Sequence, residues 1–263
     1  MTLRRPLTIR AVTTSEEFKG LAREWDALLS TIPGHSLFLT WEWLYYWAMH
    51  YVGDGQLRIL LACDEDERLV GIAPLYLRRS QEHTVIAVRE LRWLGSEDAC
   101  SSYLDLIVQE SHKPAFLQSL YHYLFDDLRN EWDLLTLSAV PAESSTFDLW
   151  NALVDEAGKV GEVVTTGCCP VIRLPDDLLT YRAGLGRNRR YTLQRKTRYL
   201  QEAGHMQCTR ATAPVEVEAA FKSFITLHER RWRSHPGGGV FANERTRQFH
   251  WDIVRVLSER GRV

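Results

Sequence analysis

Apolar positions recur along this chain with two different periods, and the switches between them outline its elements. Leu7–Val12 reads as a strand, and Thr14-Ser15-Glu16-Glu17 has the spacing of a capping box that opens a helix to about Leu29. Phe18, Leu21, Trp25, Leu28 and Leu29 repeat at helical spacing, and a second helix runs from Thr40 to about Tyr51. Strands follow at Leu57–Cys63, Leu69–Leu77 and Thr84–Leu94, the first two separated by the charged turn Asp64-Glu65-Asp66-Glu67. The pattern continues with a strand at Tyr103–Val108, a helix over Lys113–Leu128 and a strand at Asp133–Ala139. A helix over Ser145–Ala157 and a strand at Glu162–Leu174 complete it. Helices alternating with strands predict an α/β (α+β) domain over residues 1–175.

Residues 176–263 read differently. A basic helix spans Asn188–Ala203 and stops at Gly204, and His205–Arg210 predicts a short strand. Pro214 opens a helix to about Arg233, Ser234–Gly239 forms a loop, and Asn243 caps a last helix to about Arg260. No internal repeat stands out from this reading.

With 45% hydrophobic and 25% charged residues, the 263-residue chain has the composition of a packed globular protein, which excludes disorder, collagen and coiled coil. No run approaches the ~18 apolar residues of a membrane span. The N-terminus has early arginines and no apolar leader core, so a cytoplasmic protein is expected. The five cysteines, Cys63, Cys100, Cys168, Cys169 and Cys208, are odd in number and contain no CxxC, which argues for free thiols over a disulfide framework or a zinc site.

Charge changes the picture more. Residues 1–177 carry 15 Lys and Arg against 27 Asp and Glu, and residues 178–263 carry 17 against 7. The basic part is suited to an anion. Leu178–Gln201 contains Arg182, Arg187, Arg189, Arg190, Arg195, Lys196 and Arg198 and no acidic residue, so the helix has no ion pairs of its own there. Three readings are open: a solvated helix pairing with the acidic first part, a phosphate-binding face, or crude nucleic-acid binding. The planar guanidinium groups suit bidentate phosphate contact. Arg182-Ala183-Gly184-Leu185-Gly186 is one residue short of a pyrophosphate-loop spacing and reads as a helix-entry turn.

No metalloprotease, nucleophile-elbow, Walker, dinucleotide-fingerprint or EF-hand motif is present, so no catalytic residue and no metal are assigned. His228 reads as a partly buried core histidine beside Phe221, Phe224, Ile225 and Trp232, and Gly237–Gly239 as a flexible loop. Strand alternation from Tyr103 places Tyr103 and Asp105 on one face. Two readings stand there: an edge strand with a hydrogen-bonded Asp, or a carboxylate near a cleft.

The order of these features resembles a known family. Phe38-Leu39-Thr40-Trp41-Glu42-Trp43, Gly71-Ile72-Ala73-Pro74-Leu75 and Leu94-Gly95-Ser96 are followed by Tyr103-Leu104-Asp105-Leu106 and Arg187-Asn188-Arg189-Arg190. His228-Glu229-Arg230-Arg231-Trp232 and Gly239-Val240-Phe241 close the series. The chain resembles the double-domain GNAT-like acyltransferases of cellulose and exopolysaccharide biosynthesis, distant kin of the Fem-type aminoacyltransferases. The resemblance implies a GNAT-like domain over 1–175, then a basic linker helix and the N-terminal part of a second, incomplete GNAT-like domain over 176–263. It implies acyl transfer from acyl-CoA, acetyl-CoA first, to an amine or hydroxyl of a sugar or cell-envelope precursor. Arg187, Arg189, Arg190 and Arg195 become the candidates for contacting phosphate. Trp41, Tyr103, Asp105 and Trp232 become the acceptor-side candidates. The alternatives are a non-catalytic accessory protein on the same scaffold, or an aminoacyl-tRNA-dependent transferase, the one case in which nucleic acid is an expected partner.

Overall fold

Thr14 forms the capping box its spacing announces: its hydroxyl accepts from the Glu17 N–H, and the Glu17 carboxylate accepts from the Thr14 N–H. Strand β1 (Thr8–Val12) precedes it, and helix α1 (Ser15–Gly20) follows. The expected single helix is broken at Leu21, after which α2 (Ala22–Ser30) buries Trp25, Leu28 and Leu29. The Thr40 hydroxyl caps α3 (Trp41–Tyr51), whose buried residues include Trp41, Trp43, Leu44 and Trp47. The structure, a computed structural model, describes residues 7–53, 55–80, 87–96 and 101–262. Cys100 and the start of the strand expected from Thr84 lie outside the described residues. The chain groups into two units, Met1–Val163 with Thr212–Val263, and Val164–Ala211.

The first unit is built on a sheet. Strands β2 (Leu57–Cys63), β3 (Leu69–Ser80), β4 (Val88–Trp93), β5 (Ile107–Val108) and β6 (Leu134–Thr136) join β1 in the order β1-β2-β3-β4-β6, with β5 also on β3. All pairings are antiparallel except β4 with β6, where Glu90–Arg92 lie beside Leu134–Thr136 in parallel. Helix α4 (Lys113–His122) lies on the sheet where Phe116 meets Gly71, and a Cβ at that glycine would stand 2.8 Å from the ring. The β4–β6 junction is clamped by Arg89. Its backbone N–H and guanidinium both donate to Asp133, and these hydrogen bonds lower the Asp133 carboxyl pKa to about 2. Helix α5 (Ser145–Glu156) follows. The mixed α/β fold expected from the sequence is the fold observed.

The same unit contains helices α8 (Pro214–Trp232) and α9 (Glu244–Glu259), and with α2 and α3 they form a repeat that the sequence reading missed. After α2, Gly34 turns at φ 68°, Leu37–Leu39 form a 3-10 turn, and Thr40 caps α3. After α8, Gly237 turns at φ 86°, Val240–Ala242 form a 3-10 turn, and Asn243 caps α9 by accepting from the Arg245 and Thr246 N–H groups. Every one of these paired positions is 203 residues apart. The helix entrances match too. Glu17 accepts from the Thr13 and Thr14 N–H groups, and Glu216 accepts from those of Thr212 and Ala213.

Helices α3 and α9 pack antiparallel, each start against the other's end. Arg260 and Arg262 reach Glu42, and Arg245 lies over the Tyr51 ring at 5.8 Å. Trp43 meets Phe249 edge-on between them, and His50 Nε2 lies 2.9 Å from Asp252 Oδ2.

Five expected elements are shortened or absent. Only Ile107–Val108 of the Tyr103–Val108 strand pairs, because Tyr103 adopts φ 56° and the chain turns there. Ala139, at φ 57°, lies beyond the end of β6, which stops at Thr136. The helix from Lys113 changes to a π turn at Tyr123–Asp127. Glu162–Leu174 and His205–Arg210 are irregular and exposed. Strand-like composition makes a strand only where a ladder partner lies alongside. His205–Arg210 precedes Thr212 as β1 precedes Thr13, yet only β1 has a described partner, β2.

The second unit holds α6 (Leu178–Gly184) and α7 (Arg187–Ala203), neither with a buried residue. Asp177 caps α6 through the Thr180 N–H and hydroxyl, and those bonds lower its carboxyl pKa.

Candidate functional site

Helix α7 carries the acid-free run of cations, and its geometry divides them. At 3.6 residues per turn, Arg187, Tyr191, Arg195, Arg198 and Tyr199 occupy about a third of the circumference. Both rings face solvent, Tyr191 at 64% and Tyr199 at 72% exposure. Leu193 and Thr197 lie on another side and are half-buried, with Arg189 and Arg190 flanking them. The four arginines singled out from sequence therefore do not form one patch. The second unit has nine Lys and Arg against Asp176, Asp177 and Glu202. Within it, none of the α7 cations is ion-paired.

The acceptor-side candidates do not converge. Trp41 is a core ring: its indole N–H donates to the Phe18 carbonyl, Tyr45 stacks on it at 4.5 Å and Arg260 lies over it. Asp105 is held in a turn, accepting from the Leu106 N–H and from the Ser144 hydroxyl. Tyr103 beside it is 41% exposed. Tyr103 and Asp105 do not share the strand face that alternation predicts, because no strand exists there. Trp232 ends α8, stacked near His228 and beside His235 at 4.7 Å. Gly239, at φ 80°, closes on it so tightly that a Cβ would stand 2.7 Å from His228 Cε1. The glycine loop is thus a fitted turn, with Gly237, Gly238 and Gly239 all at positive φ.

Two features escaped sequence reasoning. Beyond the end of β6, the Leu104 N–H donates to the Ala139 carbonyl, with the left-handed Tyr103 next to one partner and the left-handed Ala139 as the other. Such strain clusters at functional sites. An open groove of about 430 Å³ also lies between α2, the start of β3 and the entrance of α4, with Glu24, Glu67, Arg68 and His112 on its walls. Glu67 there is at φ 61°, which only the β2–β3 turn explains. Neither feature has a sequence motif, since each is assembled from distant segments. In the same unit His250 donates to the Thr246 carbonyl, and burial lowers its pKa. Among the described residues no three His, Cys, Asp or Glu are placed to hold a metal, and no helix is long and apolar enough to cross a membrane.

Comparison with known proteins adds a class. Residues 187–263 match the family model of the acetyltransferase (GNAT) domain, beginning at the first residue of α7. That segment is GNAT-like, and it supports acyl transfer in general as the class of activity. GNAT acetyltransferases use an acyl-CoA as co-substrate. No curated protein matches. Among solved structures, a mutant of the BH1408 protein from Bacillus halodurans is 13% identical with TM-score 0.38, over 62% of this chain and 99% of its own. An integron cassette protein from V. cholerae is 15% identical with TM-score 0.35, over 69% and 100%. A probable acetyltransferase is 15% identical with TM-score 0.37, over 65% and 99%. These likenesses are too weak to speak for function.

Proposed function

We propose that this protein is a GNAT-like acyltransferase that moves an acyl group from acyl-CoA, acetyl-CoA first, to an amine or hydroxyl of a sugar-linked envelope or exopolysaccharide precursor. The observation that carries this reading is the GNAT-domain match that starts at Arg187. The repeat supports the matching division of the chain, a GNAT-like unit over 1–175 and the opening elements of a second over 176–263.

In the proposed reaction the acceptor nitrogen or oxygen attacks the thioester carbonyl. The new C–N or C–O bond forms as C–S breaks, and the acceptor's proton leaves for water or the departing thiolate. Positioning and polarisation of the carbonyl supply most of such catalysis, so no nucleophile on the protein is needed. Arg189 and Arg190 are the proposed contacts for the CoA phosphates, because they flank the side of α7 that carries the half-buried Leu193 and Thr197. Tyr103 and Asp105, on either side of the Leu104 N–H that donates to the Ala139 carbonyl, remain the proposed acceptor contacts.

Thermal-shift titration with acetyl-CoA tests the reading. Saturable stabilisation is expected, lost in the double variant Arg189→Ala with Arg190→Ala. The absence of any shift overturns it. A shift without release of CoA thiol over a panel of amino sugars favours an accessory protein that binds the donor and does not turn it over.

A further inference from the structure

We propose that the arginine–tyrosine face of α7 binds single-stranded nucleic acid. The face is Arg187, Tyr191, Arg195, Arg198 and Tyr199, with no carboxylate before Glu202 at its far end. Tyr191 and Tyr199 stand eight residues apart on one stripe, about 12 Å along the axis, with Arg195 midway between them. Both rings are open to solvent, 64% and 72% exposed, so their faces are available for stacking. Guanidinium groups alternating with open aromatic rings are what a strand of phosphates and unstacked bases requires.

Shape decides between a compact ligand and an extended one. A small-molecule site buries about 70–90% of its ligand in a concavity. Helix α7 has no buried residue and the surface of a single helix is convex, so this face can follow a chain of charges but cannot by itself enclose a molecule. A polyanion without bases would use the arginines and leave both tyrosines idle. The proposal uses a different face from Arg189 and Arg190 and is independent of the acyl-transfer reading.

The experiment is fluorescence anisotropy of the full chain with a fluorescein-labelled oligouridylate and its DNA counterpart across a salt series, with inorganic polyphosphate as a base-free competitor. Salt-sensitive binding is expected. The triple variant Arg187→Ala, Arg195→Ala, Arg198→Ala should flatten the log–log salt slope by about 2, three phosphate contacts at about 0.7 each. Tyr191→Ala with Tyr199→Ala should weaken binding by roughly five-fold or more per ring while keeping the slope, and the paired Phe variants should restore it. Alanine suits an exposed helix, and far-UV circular dichroism verifies that α7 persists. Wild-type affinity in either the arginine or the tyrosine-to-alanine variant overturns the proposal, as does no binding by the intact chain at low salt. Acetyl-CoA stabilisation is read separately, so either idea can fail alone.

Discussion

The same turn-and-cap scaffold appears twice in the first unit, closed in one copy and open in the other. In the first, Phe18, Leu21 and Trp25 are buried, and α2 lies against β3 and β5. In the second, Phe224 is 50% and Leu227 61% exposed, although a glycine turn, a 3-10 turn and a side-chain cap recur at the same spacing. Backbone shape in this arm is therefore set locally, by a residue tolerant of positive φ, a capping oxygen and a short apolar turn. Burial is set by whatever sheet lies beneath. The largest test compares equivalent positions. Trp25, fully buried with its indole N–H on the Leu39 carbonyl, is matched by His228, half-buried with no hydrogen-bond partner for its buried Nδ1 among the described residues. Trp25→Ala should cost about 3–5 kcal/mol. His228→Ala should cost about 1 kcal/mol or less. Urea denaturation measures both, and equal losses would show that the second arm is as closed as the first.

The paired helices offer a finer test, because the two-fold likeness of α3 and α9 is geometric and not energetic. Glu42 and Arg245 are equivalent positions, and each meets the far end of the opposite helix. Glu42 is completely buried and holds Arg260 and Arg262, with Asp26 beside them, and burial followed by the Glu42 charge raises the Asp26 pKa. Glu42→Gln should cost about 2–3 kcal/mol, less than a fully buried pair because both arginines are over a third exposed. Arg245→Ala should cost about 0.5–1 kcal/mol, the worth of an exposed cation over a ring. Matching losses in urea titrations would mean that Glu42 is not the anchor its burial indicates.

How much of this was readable beforehand follows the same division between local and tertiary causes. Capping at Thr14, Thr40 and Asn243 is local chemistry, and the helices they open lie where the sequence puts them. So is the acid-free run on α7, although which arginines share a face emerges only from helix geometry. Tyr103, Glu162–Leu174 and His205–Arg210 failed as strands because a ladder needs a partner, which composition does not report. The repeat was in plain view as Pro33-Gly34 and Phe38 against Pro236-Gly237 and Phe241. It stayed hidden because the surrounding residues differ, α2 lying against the sheet while α8 leaves Phe224 and Leu227 exposed. The groove beside His112 was unreadable for the opposite reason, since its walls come from three separated segments.

The smallest effects should be the most nearly equal. Gly34 and Gly237 hold φ 68° and 86°, and a Cβ at either would meet no atom within 4 Å. Alanine there pays only for the left-handed backbone, about 1–2 kcal/mol, with no steric difference between the two sites. Gly34→Ala and Gly237→Ala should therefore lower stability by similar amounts, although one arm is buried and the other open. A thermal melt of each variant makes the comparison. If Gly34→Ala proves several-fold costlier, the turn draws its stability from the core beneath it, and local encoding of the arm fails. If the two agree while Trp25→Ala and His228→Ala diverge, the turn is independent of the packing it connects, which is how one backbone arm can serve both a closed core and an open face.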